Sequence, residues 1–311
     1  MKLFNKDGKG AQELTAVLGL ISNRVDFDAW APLLPFGIRD VAAIVGAGPV
    51  EALARFYETG EGLPAEASVP LGYLRQAVAM FTWLKVIPTL DAQHDTKGRS
   101  RRMGENEKGL TALQEFKDEA NIQRLAYEAV DALIESLDAG GLEFWTSSPK
   151  YAQRAGLLVR DKETFDRYYV TGSHRLFLTL LPMIREVQSA SVAPVVGPGL
   201  MPRLLAGDGS LPVSLMEKAQ RVIVLLSMKK AVERLPVEVL PEGVVQVNQS
   251  TPVAQKLRAE KEARASVAAA LGADAAAYIC DLEDEVKAIS GDTQDAPHLP
   301  GPLVHSKGIS F

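Results

Sequence analysis

The chain has 311 residues, with 34 Lys and Arg against 39 Asp and Glu, for a formal net charge of −5. Hydrophobic residues make up 47% of it, which excludes a disordered chain, and the mild acidity argues against a protein that coats nucleic acid over its whole surface. A single cysteine, Cys280, excludes a disulfide framework and a cysteine-built zinc site, and the length allows two domains.

The segment Met1 to Gly10 carries charges and glycines where a signal peptide would carry an apolar run, so synthesis in the cytoplasm is expected. Helical spacing follows. Tyr73 to Ile87 reads as an apolar helix stopped by Pro88. Leu110 to Asp138 places Leu110, Leu113, Phe116, Ala120, Leu125, Val130, Leu133, Ile134 and Leu137 largely on one stripe, and Gly140 and Gly141 end it. Leu215 to Leu235 is a second apolar helix, followed by Pro236. A long Ala-, Glu-, Lys- and Arg-rich helix runs from about Pro252 to Ile289, interrupted at Gly272 and closed by Gly291. Strand signals are scarce: only Val237 to Val247 alternates enough for a short ribbon. No window approaches the ~18–20 uninterrupted apolar residues of a membrane span, and no membrane contact is expected. The most apolar stretch is Val222 to Met228. The fold class is mainly α.

The chain also reads as written twice, at an offset of roughly 140–150 residues, the scale of one domain. Leu33-Leu34-Pro35 recurs as Leu180-Leu181-Pro182, and Ile38-Arg39-Asp40-Val41 as Ile184-Arg185-Glu186-Val187. Val45-Gly46-Ala47-Gly48 recurs as Val196-Gly197-Pro198-Gly199, followed by Gly60/Gly62 and Gly207/Gly209. Phe27-Asp28 recurs as Phe165-Asp166. The order of these five matches predicts two tandem helical-bundle modules related by internal duplication, residues 1–140 and 141–291, with an extended tail over 292–311. Each Leu-Leu-Pro is read as a helix start, where proline's missing N–H is tolerated.

Chemistry-bearing motifs are few. The Gly46 and Gly197 turns lack the third glycine of a dinucleotide fingerprint, and Pro49 and Pro198 remove N–H groups a phosphate would need. His94, His174, His298 and His305 have no partners at zinc-site spacing, so surface or capping roles are expected. Cys280 reads as a buried small hydrophobe, and Asp281 to Glu285 as a solvated helix face. No catalytic residue, metal ligand or cofactor site is identified, so no enzyme is expected. The sharpest charge cluster is Lys97, Arg99, Arg101 and Arg102, in a polar connection. Cations so spaced fit phosphates or an acidic protein surface; the chain's own acidity favours an interface over DNA, and a solvated loop is the plain alternative. The tail carries Pro297, Pro300 and Pro302 and ends in an apolar patch; it is too poor in self-contacts to form a core. Its apolar residues, Leu303, Val304, Ile309 and Phe311, are expected to reach a neighbouring subunit.

Three motifs carry a resemblance: Leu3-Phe4-Asn5-Lys6-Asp7-Gly8 ahead of a helix, Arg101-Arg102-Met103-Gly104-Glu105-Asn106-Glu107 leading into the helix from Leu110, and Phe144-Trp145-x-Ser-Ser before Tyr151. In these the chain resembles an uncharacterised phage and prophage family, typical of phages infecting Bacteroidetes-type hosts and encoded among virion structural genes. Its helical modules are similar to the all-helical head-to-tail connector (adaptor) proteins of tailed phages. That resemblance implies a homo-oligomeric ring in the neck of the virion, docked on the portal and touching other neck or tail proteins, with packaged DNA passing through it. A duplicated module departs from the usual single-module connector. Another virion role (tail terminator, capsid-associated or internal protein) is the first alternative, and a soluble helical enzyme or regulatory binding module the second.

Overall fold

The computed structural model describes residues 1–19, 26–95, 98–101, 111–207, 209–235, 237–240, 243–246 and 261–291. Its first half opens with α1 (Gly10–Leu18), α2 (Phe27–Trp30) and α3 (Leu34–Val45), with Pro35 in the first turn of α3, where its missing N–H costs nothing. Gly46 ends α3 at φ 95°, ψ 152°, a backbone region essentially restricted to glycine. That bend lets α4 (Ala47–Thr59) start at once and fold back. After a left-handed cap at Gly60, the chain enters α5 (Ser68–Asp91) and later α6 (Ala112–Gly140). Between them β1 (Ala92–Asp95) pairs antiparallel with β2 (Gly98–Arg101), from Ala92 opposite Arg101 to Asp95 opposite Gly98.

α5 is the hub of this half. Leu74, Ala77, Val78, Ala79, Met80, Phe81, Thr82 and Val86 leave no solvated side along its middle, and α1, α2, α3, α4 and α6 all pack on it. α3 comes closest at Gly37, where an added Cβ would sit 2.2 Å from Thr82 Oγ1 and 2.8 Å from the Val78 carbonyl oxygen. α6 starts at a capping box: Thr111 accepts from the Gln114 backbone N–H, and Gln114 accepts from the Thr111 N–H at 2.9 Å. Its first buried residue is Ile122, so three turns precede any core contact.

The second half begins with short helices α7 (Glu143–Thr146), α8 (Pro149–Ala152) and α9 (Lys162–Asp166). α10 (His174–Val187) runs through a wide π-type turn, Gln188–Val192, into α11 (Ala193–Ala206), which is broken at Gly197 (φ 80°, ψ 162°). Gly207 closes α11 in the left-handed region. α12 (Val213–Arg234) is the hub here, buried at Leu215, Ala219, Val222, Ile223, Val224, Leu225, Ser227 and Met228. β3 (Val237–Leu240) pairs antiparallel with β4 (Gly243–Gln246), and α13 (Lys261–Ser290) packs along α12 before Gly291 turns it off at φ 67°. One continuous apolar core threads both halves.

The chain is mainly helical, as its spacing predicts, but several punctuation marks are overridden. α5 does not stop at Pro88 and continues to Asp91; packing against α6 outweighs the single backbone bond that a proline removes. Leu180-Leu181-Pro182 is not a helix start: it lies inside α10, which begins seven residues earlier behind the Ser173 cap. Strong amphipathicity, with Phe177, Leu178, Leu180, Leu181 and Ile184 buried, carries that helix through Pro182. Gly272 does not interrupt α13; packing along α12 outweighs the roughly 1 kcal/mol that a glycine costs inside a helix. α13 is also apolar enough, by length and composition alone, to cross a membrane: an 18-residue window within Glu262–Ser290 has a mean hydropathy of 1.3, and 22% of it is buried. Alanines supply that hydropathy, so no long run of large apolar residues signals it in the sequence.

The α3–α5 contact makes a direct prediction. Gly37→Ala should lower the stability read from thermal unfolding by about 1–3 kcal/mol, whereas Gly48→Ala, where an added Cβ has nothing within 4 Å, should be neutral or slightly stabilising. Equal melting temperatures for the two variants would contradict the close approach.

Candidate functional site

The charge cluster and the tail predicted from sequence contribute no described side chain. Lys97 and Arg102 lie outside the described residues, and Arg99 and Arg101 are placed only as backbone in β2, opposite His94 and Ala92. Leu303, Val304, Ile309 and Phe311, with His298 and His305, lie outside the described residues as well. Three other readings are corrected. Cys280 is exposed rather than buried, because α13 turns Ala268, Leu271, Ala275 and Leu282 inward and Cys280 falls on the opposite side. His174 is buried, not a surface residue. The acidic run is not uniformly solvated: Leu282 is fully buried, and Glu285 pairs with Lys218 of α12 at 2.6 Å. Hydrogen bonds from Lys218 and Ser214 hold the Glu285 carboxyl below the usual carboxylate range.

A dense polar cluster lies where the end of α6 meets the start of α10, at the junction of the two halves. Arg154, just past α8, places both terminal nitrogens on Asp138 of α6, each at 3.0 Å. The Trp145 indole N–H donates to the same carboxylate at 2.6 Å. His174 sits 3.9 Å from Asp138 through Nδ1 and 3.9 Å from Glu163 through Nε2. The Arg154 Nε makes no hydrogen bond; the guanidinium lies instead over the rings of Tyr151 at 4.9 Å, Trp145 at 5.7 Å and Phe177 at 5.7 Å. Two turns earlier on α6, Asp131 accepts from the Ser173 hydroxyl at 3.0 Å and from the Arg175 backbone N–H at 2.7 Å. The Arg175 guanidinium covers the Tyr127 ring at 4.1 Å. α6 is therefore acidic and aromatic at this seam, and α10 enters it with a serine cap and two basic residues.

A second cluster fixes the N-terminus. Glu13 accepts from the Tyr57 hydroxyl at 2.7 Å, from Arg75 at 3.1 Å and from the Asn5 backbone N–H at 2.9 Å. Burial and the bond to Glu13 push the Tyr57 phenol up to about 12. In the second half, Glu186 of α10 is held down at about 2 by hydrogen bonds from Arg234 and Lys230 of α12.

These groups are engaged with one another and do not converge on an open space. Among the described residues no three His, Cys, Asp or Glu are grouped to hold a metal ion. Two cavities, of about 230 Å³ beside Leu3, Phe27, Leu34 and Ile38 and about 180 Å³ beside Leu204, Leu211 and Met216, have mainly apolar walls. The arrangement locks helix to helix, which is the chemistry of an interface. Its residues escape a sequence reading because the pairs span 7 to 44 positions, most of them beyond the reach of local periodicity; the signal present is local, Trp145, Tyr151 and Arg154 spaced on consecutive short turns.

Arg154→Met strands a mostly buried carboxylate and should cost about 3–5 kcal/mol of unfolding free energy. Arg154→Met combined with Asp138→Leu should recover a large part of it; equal losses in both would refute the pair. Tyr57 carries a pH effect of definite sign. A phenol whose folded value lies near 12, above about 10 unfolded, stabilises the fold fully below pH 10 and loses that contribution as pH rises towards 12. Tyr57→Phe should flatten this alkaline fall in denaturation midpoint.

No curated protein and no solved structure matches the chain. The model of a family of unknown function, DUF6712, matches residues 58–154 and 204–291, more than half of its length, and the chain belongs to that family.

Proposed function

We propose that this chain is a structural virion protein: a head-to-tail connector, or adaptor, that closes into a homo-oligomeric ring in the phage neck and docks on the portal. Its modules are two copies of one unit, residues 1–140 and 141–291, each a bent helix pair leading into a long helical arm tipped by a short β ribbon. The observation that carries the tandem reading is backbone geometry. Gly46 and Gly197 adopt the same glycine-restricted bend, at φ 95°, ψ 152° and φ 80°, ψ 162°. Each is followed by left-handed glycines, Gly60 and Gly62 in one half and Gly207 and Gly209 in the other. Each half then forms a hub helix, a ribbon and a long helix closed by Gly141 or Gly291. The stretches matched by the family model start at corresponding places, in the last turns of α4 and of α11. In this register the Asp26 cap of α2 corresponds to the Ser173 cap of α10, which replaces the Phe27-Asp28 to Phe165-Asp166 match.

Repeated units whose buried charges join helix to helix suit assembly better than turnover. In this reading the basic residues Lys97, Arg99, Arg101 and Arg102, of which Arg99 and Arg101 belong to the β2 strand, meet an acidic portal rim or the DNA path, and the tail over 292–311 reaches the next subunit. Electron microscopy and sedimentation of the full chain, alone and mixed with a tailed-phage portal protein from the same source genome, test this. Rings that co-sediment with portal are expected; a chain that stays monomeric and ignores portal would overturn the proposal.

A further inference from the structure

Where α11 ends and α12 starts, the second half has an open apolar cleft of about 180 Å³, walled by Leu204, Leu211, Pro212, Val213 and Met216. Arg203, at its edge, is turned onto the carbonyl and hydroxyl of Ser210. Val213, at the rim, is 73% exposed. The turn beside it, Gly207-Asp208-Gly209-Ser210-Leu211-Pro212, resembles Gly60-Glu61-Gly62-Leu63-Pro64 of the first half. There the N-terminal segment covers the last turn of α4. Leu3 and Phe4 are buried, the Lys2 backbone N–H donates to Glu58 at 2.6 Å, and the Lys6 ammonium donates to the Tyr57 carbonyl at 3.1 Å. Among the described residues no such segment closes the cleft at α11.

α13 delivers the C-terminal segment to this spot. It runs antiparallel to α12: Gly272 lies beside Lys229, Lys218 donates to the Asp281 carbonyl at 3.3 Å, and the Ser214 hydroxyl donates to Glu285. Each turn further along α13 falls level with a turn earlier on α12, so Gly291 closes α13 level with the 207–212 turn. Residues 292–311 therefore leave α13 at the rim of the cleft. Their first large apolar residues, Leu299 and Leu303, flank Pro300-Gly301-Pro302. Leu299 reaches up to about 26 Å from Gly291 at roughly 3.3 Å per residue, ample to turn back onto Val213. We propose that the segment Leu299 to Leu303 seats in the cleft of its own chain, with the two leucines against Val213 and Met216. The prolines suit such a seat: they reduce the entropy lost on ordering and carry no N–H to strand against an apolar wall. Seated there, the segment closes the second half as Leu3 and Phe4 close the first, and Ile309 and Phe311 are left to reach a neighbouring subunit. The seat needs no second copy of the chain, so it stands or falls apart from the connector reading.

Disulfide trapping in the full chain tests this. Cys280, the only cysteine, is replaced by Cys280→Ser, and Val213→Cys is combined with Leu303→Cys. Both changes fall on residues outside the packed core, so the fold is kept. Oxidation with diamide should give an intramolecular disulfide, read by peptide mass and by migration as a single chain. Val267→Cys in place of Val213→Cys, at an exposed valine near the other end of α13, should give at least tenfold less. Leu299→Asp added to the Val213→Cys chain should also cut the product at least tenfold, because a carboxylate does not seat against apolar walls. No intramolecular product at Val213→Cys, an equal yield at Val267→Cys, or a yield indifferent to Leu299→Asp would overturn the seat. A disulfide that joins two chains at Val213→Cys would overturn it as well, and would move the segment to the cleft of a second copy.

Discussion

A helix whose middle is buried on every side folds only if other helices wrap it. α5 around Ala77–Thr82 and α12 around Val222–Leu225 are such helices, and the rest of the architecture follows from covering them. α1 to α4 and α6 surround α5, while α9, α10, the wide turn after it and α13 surround α12. The chain must therefore turn back sharply without lengthy loops, and the bends at Gly46 and Gly197 supply that turn with backbone angles that only glycine adopts at low cost. The approach of α3 to α5 at Gly37 depends on the same constraint: the hub is reached closely only where a side chain is missing.

Polar chemistry is then left to the seams. Glu13, Tyr57 and Arg75 fasten the N-terminal segment to the first hub, Glu186 joins α10 to α12, and Glu285 joins α13 to α12. The cluster around Asp138 is the one that spans the two halves. A buried ion pair adds little net stability over apolar residues of the same size, but separating its partners is heavily penalised. Arg154 and Asp138 accordingly act as a selector, because any other docking of the 143–173 segment on α6 leaves a carboxylate and a guanidinium unpaired.

The sequence by itself determined the helical class, the helix ends at Gly141 and Gly291, and the inward face of α6 from Val130 to Leu137, because 3.6-residue periodicity and glycine caps are local properties. It also laid out the order of glycines that the tertiary structure gives similar backbone angles. It misjudged where helices persist, as at Pro88, Pro182 and Gly272, since packing supplies more free energy than one lost backbone bond or one glycine removes. It placed Leu113 and Phe116 on the core stripe although α6 meets its core only from Ile122; periodicity marks a face and not how far along it a neighbour extends. Only the tertiary structure decided that His174 is buried between Asp138 and Glu163, that Cys280 faces outward, and that Arg154 finds Asp138. Those outcomes depend on which elements meet in space, and no short-range pattern of residues encodes a meeting between helices that are distant in the chain.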